Sequence, residues 1–141
     1  MGKQTFITNS VQQTEQLAEK IAKTLSQKSV LAFFGGLGAG KTTFIRGLGK
    51  SLGIKDELTS PTYTIMHEYL GKPSLVHFDM YRVHTLEDLE TTGFFDYIDT
   101  DCIAAIEWSE NISLYLPEDS IHIEMEMLDD TTRKITITTK E

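Results

Sequence analysis

Cysteine occurs once, at Cys102, so no internal disulfide can form, and the neighbours Ile103, Ala104 and Ala105 predict a reduced thiol in an apolar interior. A cytoplasmic location is expected from that usage. Long apolar runs are also missing. The longest, Val30 to Phe34, is five residues, against about 20 for a membrane-spanning helix and about 7 for the core of a signal peptide. Neither a span nor an export signal is expected. Arginine is scarce, at Arg46, Arg82 and Arg133 only, and the 13 basic residues face 21 acidic ones, a net charge of −8. No basic stripe overrides that balance, which repels a phosphate backbone and excludes free-standing nucleic-acid binding. With 3 Pro and 10 Gly in 141 residues, collagen-like repeats and linker arrays are excluded as well. What is present, 40% hydrophobic and 24% charged residues, predicts one domain over residues 1–141 around a single core.

Hydrophobic spacing predicts an α/β fold. A short strand near Thr5 to Ile7 precedes Ser10, which reads as a helix N-cap with Gln13 three residues on, and Leu17, Ala18, Ile21, Ala22 and Leu25 then recur at helical spacing to about Ser26. Val30 to Phe34 and Cys102 to Ile106 are uninterrupted apolar pentamers, the pattern of parallel strands covered on both faces. A second helix should start at Gly40 or Lys41, bury Phe44, Ile45, Leu48 and Leu52, and stop at Gly53, with Gly47 and Gly49 weakening it. Residues 54–62 read as a polar loop, Tyr63 to Tyr69 as a strand forming a hairpin with Ser74 to Phe78, and Thr85 as the cap of a short helix closed by Gly93. In the tail, Ile121, Ile123, Met125 and Met127 alternate with polar residues before Ile135 to Ile137, which predicts a half-exposed antiparallel hairpin.

The chemistry is carried by Gly35-Gly36-Leu37-Gly38-Ala39-Gly40-Lys41-Thr42, which fits the G-x-x-x-x-G-K-[ST] phosphate loop, with a buried strand feeding it and an amphipathic helix leaving it. Main-chain amides converge on a phosphate only where side chains do not intervene, so Gly36, Gly38 and Gly40 suit a cradle, completed by Leu37 and Ala39. Lys41 would neutralise the β- and γ-phosphates, the Thr42 hydroxyl would be a magnesium ligand, and Thr43 can reach the α-phosphate. Two strands end in a carboxylate suited to the metal, at Asp79 and Glu107. Glu107 is preferred because its strand is apolar throughout, whereas His77 makes the Asp79 strand read as half-exposed; capping of the following turn is the alternative for either acid. In the loop Thr59-Ser60-Pro61-Thr62, Thr62 is the preferred γ-phosphate sensor, against a plain turn. The four histidines show no close ligand pair, so a zinc site is disfavoured and they read as ordinary surface or strand residues. Trp108 would emerge at the rim of the site, as core or as partner contact.

The phosphate loop at 35–43, Ser-Pro-Thr-Tyr at 60–63, His-Phe-Asp-Met-Tyr-Arg at 77–82, Gly-Phe-Phe-Asp-Tyr from Gly93 and Ile-Glu-Trp-Ser-Glu at 106–110, in this order, resemble the bacterial TsaE family over nearly the whole chain. The resemblance implies a small P-loop ATPase of three-layer fold, with a mostly parallel central sheet and an antiparallel C-terminal hairpin. It implies work with the TsaB and TsaD proteins in making threonylcarbamoyladenosine on tRNA, ATP and Mg2+ as ligands, tRNA met only through that complex, and a monomer when isolated. Carried over by residue, it makes Lys41, Thr62, Asp79 and Glu107 catalytic, makes Thr42 and Glu107 the metal ligands, and turns Trp108 toward the nucleotide-bound assembly. The chain has no N-K-x-D for guanine, so adenine is the expected base, with Ser10 and Arg133 assigned to its surroundings.

Three rival readings start from the same loop. A small-molecule kinase would carry an arginine-bearing lid, and a regulatory GTPase would carry D-x-x-G and N-K-x-D strings; the sequence has none of these. An adaptor that binds nucleotide only to set its shape stays open.

Overall fold

The structure, a computed structural model, describes residues 2–36, 38–55 and 65–140. Strand β1 (Gly2–Thr8) leads into helix α1 (Val11–Ala22). The Ser10 hydroxyl accepts from the Gln13 amide at 3.1 Å, and Gln13 Oε1 accepts from the Asn9 amide at 2.7 Å, so two amides at the helix entry are satisfied as the spacing predicts. The two apolar pentamers become β2 (Ser29–Phe34) and β5 (Cys102–Glu107), which pair in parallel at the centre of the sheet. β5 is buried along its whole length. Strand β6 (Ile121–Met127) pairs in parallel with the other side of β2, and β4 (Ser74–Asp79) with the other side of β5. Antiparallel strands finish both edges: β3 (Met66–Tyr69) on β4, and β7 (Arg133–Thr139) on β6 with β1 beyond it. The order is therefore β1-β7-β6-β2-β5-β4-β3.

This is a mixed α/β sheet whose four core strands are parallel. The C-terminal hairpin is antiparallel as expected, and its first strand docks on β2 to complete the sheet rather than standing apart from it. Alternation along the strands sends Leu31, Phe33, Leu75, Ile103 and Ala105 to one face, against α1 and α2 (Lys41–Ser51). Val76, Phe78, Ala104 and Ile106 go to the other, against α3 (Leu86–Thr91), α4 (Phe94–Tyr97) and 3₁₀ turns within Ser109–Tyr115. The layers are helix, sheet, helix.

Two local expectations change. The reading of the Asp79 strand as half-exposed is corrected: β4 lies between β3 and β5, and His77 is 1% exposed in its interior. Only part of the expected Tyr63 to Tyr69 strand can be compared, since residues 56–64 lie outside the described residues. Neither α4 nor the 3₁₀ turns were foreseen. Both are too short to show a periodic signal, although Gly93, expected to close α3, also sets the start of α4. Among the described residues no helix is long and apolar enough to cross a membrane.

Candidate phosphate-binding site

β2, β5 and β4 run parallel, so Phe34, Glu107 and Asp79 all lie at the same end of the sheet, and the glycine loop leaves from Phe34 at that end. Three glycines there need their missing side chains. Gly38 and Gly40 have φ of 77° and 95°, and a Cβ on Gly35, at φ 140°, would collide with the Met125 carbonyl. Gly36 has open space where a side chain would be, which leaves one wall of the bend free for a ligand. Leu37 lies outside the described residues. At the start of α2, Gly40 supplies no side-chain cap and the first turn holds no acidic residue, so the positive end of the helix is not neutralised by its own sequence. Uncapped amides and a helix dipole facing glycine backbone are the electrostatics of an anion cradle.

Lys41 sits at the base of this cradle, 6% exposed. Its Nζ donates to the Gly35 carbonyl at 2.8 Å and lies 4.4 Å from the centre of the Trp108 ring. Both partners are neutral, and a carbonyl dipole and a π face hold an ammonium more weakly than an anion does. Trp108 adopts the left-handed conformation (φ 59°, ψ 42°) and is the only non-glycine among the described residues with positive φ. Such a conformation costs about 1–2 kcal/mol for a residue with a Cβ. The ring it aims packs on Tyr81, centroids 4.9 Å apart, and closes over Lys41.

Glu107 and Asp79 are register partners on adjacent strands. Glu107 is the nearer to the loop because β5, not β4, borders β2. It is 6% exposed, and its Oε2 accepts from His77 Nε2 at 2.6 Å. Asp79 Oδ1 accepts from the Tyr81 amide at 3.0 Å, the turn-capping role foreseen as the alternative, so half of that carboxylate is committed locally. Asn111 braces the same corner, its Nδ2 donating to the Met80 carbonyl at 2.8 Å. Among the described residues no three His, Cys, Asp or Glu gather to hold a metal ion. A hydroxyl at Thr42, in the first turn of α2, and a carboxylate at Glu107, at the end of β5, are oxygen donors of the kind that suits a hard cation, which keeps phosphate and water oxygens for its remaining positions. The cradle and these donors therefore fit a magnesium–polyphosphate.

Arg133 lies against the loop, its Nε 3.8 Å from where a Gly40 Cβ would be, with Nη1 donating to the Asp129 carbonyl at 2.8 Å. Thr132 Oγ1 and Asn9 Oδ1, 3.5 Å apart, bring the β6–β7 turn to the residue beside Ser10. Ser10 itself is occupied in capping α1. Thr42 and Thr43, in the first turn of α2, are half-buried, and Ala39 is buried. Thr62 lies outside the described residues. Cys102 is buried, and that burial pushes its thiol up, which disfavours the thiolate. Sequence reasoning missed His77 and Tyr81; the polar residue two before Asp79, on the same strand face, was the available signal for the first.

The family model described as "Threonylcarbamoyl adenosine biosynthesis protein TsaE" matches residues 8–135. A "tRNA threonylcarbamoyladenosine biosynthesis protein TsaE" from Treponema pallidum is 37% identical over 131 residues, 93% of this chain and 97% of that protein. The protein of the same name from Haemophilus influenzae is 40% identical over 118 residues, 82% of this chain and 75% of its own length. Among solved structures, that of YdiB from Bacillus subtilis superposes with a TM-score of 0.84 at 31% identity, covering 98% of this chain and 86% of that one.

Proposed function

The chain belongs to the TsaE family of threonylcarbamoyl adenosine biosynthesis proteins, and from that premise we propose that it binds and hydrolyses ATP as an accessory subunit of the tRNA-modifying machinery, with TsaB and TsaD as partners. The observation that carries the reading is Lys41: a buried ammonium at the mouth of an uncapped helix, held among the described residues by a carbonyl and an aromatic face. A triphosphate entering the bend offers it the anion that its present partners lack. The amides of residues 36–42 then wrap the β-phosphate, and Lys41 turns from the Gly35 carbonyl to the β- and γ-oxygens. Thr42 and Glu107 would hold Mg2+, which when bound offsets charge on the transferring phosphoryl group. Asp79, with one oxygen free of the turn, orients water or the metal's hydration shell, and Thr62 senses the γ-phosphate. Arg133 and the Ser10 end of α1 border the adenine. The work is placed in the cytoplasm, in keeping with the single cysteine.

Hydrolysis by the isolated chain is slow in this reading, because 3 arginines in 141 residues leave few guanidinium groups to stabilise charge in the transition state. Phosphate release measured with and without TsaB and TsaD tests it. The expected result is a rise of about tenfold or more on adding the partners, abolished by Lys41→Ala in a chain that still folds. Equal turnover without partners overturns the dependence, and turnover unchanged in Lys41→Ala overturns the phosphate site. Nucleotide-dependent capture of the partners without phosphate release would favour the adaptor reading.

A further inference from the structure

His77 and Glu107 project from neighbouring parallel strands onto the same sheet face, His77 beside Ala105 and Glu107 one side-chain step farther along. Both are almost fully buried, at 1% and 6% exposure. A carboxylate only accepts, so the hydrogen of the 2.6 Å contact lies on His77 Nε2. The other ring nitrogen, Nδ1, is buried with no hydrogen-bond partner among the described residues. Packing does not account for such a ring. Leu75 on its own strand and Ala105 on β5 are apolar, the exposed His67 lies opposite it on β3 with no hydrogen bond between the two rings, and an aliphatic side chain would fill the space without stranding a polar atom. Among the described residues, the one hydrogen bond the imidazole makes is to the carboxylate.

We propose that His77 is a positioning residue for Glu107: by holding Oε2 it fixes the carboxylate plane and leaves Oε1 as the oxygen available to a divalent cation. The proposal rests on the ATP–magnesium reading above. Without the histidine the carboxylate is free to swing, and the ordering falls on the metal-binding step. Metal affinity then drops, while contacts between cradle and phosphate do not change. Partners behind a metal ligand characteristically weigh about 10- to 100-fold in affinity.

The test is calorimetric titration of the full chain with ADP across a series of Mg2+ concentrations, using the parent, His77→Leu, His77→Asn and His77→Gln, each checked for folding by circular dichroism. Glutamine carries an amide nitrogen at nearly the reach of Nε2, whereas asparagine stops short of Glu107. In His77→Leu and His77→Asn the Mg2+ concentration needed to tighten ADP binding should rise about tenfold or more. ADP affinity without metal should stay within about twofold, and His77→Gln should restore most of the parent's response. In a Glu107→Gln background, His77→Asn should have no further effect. If His77→Leu does not fold, the Asn and Gln pair decides. Folded variants that keep the parent's magnesium response overturn the positioning role alone. A parent whose ADP binding ignores Mg2+ overturns the magnesium reading and this proposal together.

Discussion

Asp129 shows how one side chain can set a loop that bears on the site. Its Oδ1 accepts from the amides of Thr131 and Thr132 at 2.9 and 2.8 Å, closing the β6–β7 turn, and its carbonyl receives Arg133 Nη1. The amide of Thr131 and the side chain of Thr132 hold the carboxyl below its ordinary value. A depressed folded value means that this stability is present above the ordinary 3.8 and is lost as pH falls through the folded value. Asp129→Ala should therefore melt lower than the parent at neutral pH, with the gap narrowing as the pH drops below 3.8. Melting curves across that range check it; a gap that stays constant in acid would show that the charge is not involved. At the same scale, Lys41 and Trp108 form a contact that sequence spacing does not announce, since they are 67 positions apart and meet only because β5 borders β2.

Helices α1 and α2 cross where Gly47 faces the first of them. A Cβ at Gly47 would lie 2.5 Å from the Glu15 carbonyl oxygen and 2.7 Å from Ala18 Cβ, and Lys50 bridges to Glu15 at 2.6 Å beside it. Propensity alone predicts that Gly47→Ala stabilises the helix by up to about 1 kcal/mol. Overpacking against backbone costs about 1–3 kcal/mol, so the close approach wins. Gly47→Ala should lower the denaturation midpoint, as measured by chemical unfolding, whereas a gain in stability would mean that the helices separate freely. From the sequence this glycine reads as a weakness within a helix. The fold makes it the point of contact, and because α2 begins at Lys41, its seating against α1 also holds the phosphate loop in place.

Across the whole molecule, a net charge of −8 with no basic stripe predicts no independent hold on tRNA. Gel retardation at physiological salt should show no shift with this chain alone and a shift only when the partner complex is present. A shift by the chain alone would overturn an indirect role for tRNA. Much of the architecture was legible at this scale. Apolar pentamers mark the central strands, alternation marks the hairpin, and Ser10 and Thr85 mark helix starts, because those signals depend on near neighbours in sequence. His77 was misread for the complementary reason. A polar residue in an alternating strand looks solvent-facing until the sheet order encloses it between β3 and β5.

Residue order alone determined the phosphate loop, the strand before it and the helix after it, the two carboxylates at strand ends and the family, since each is written in adjacent positions whose backbone needs are local. Strand order decided the rest. Because β5 rather than β4 lies against β2, Glu107 stands nearer the loop than Asp79, His77 is enclosed with it, and Trp108 closes over Lys41. Those are contacts between distant segments, set by the burial of both sheet faces, and no local pattern encodes them.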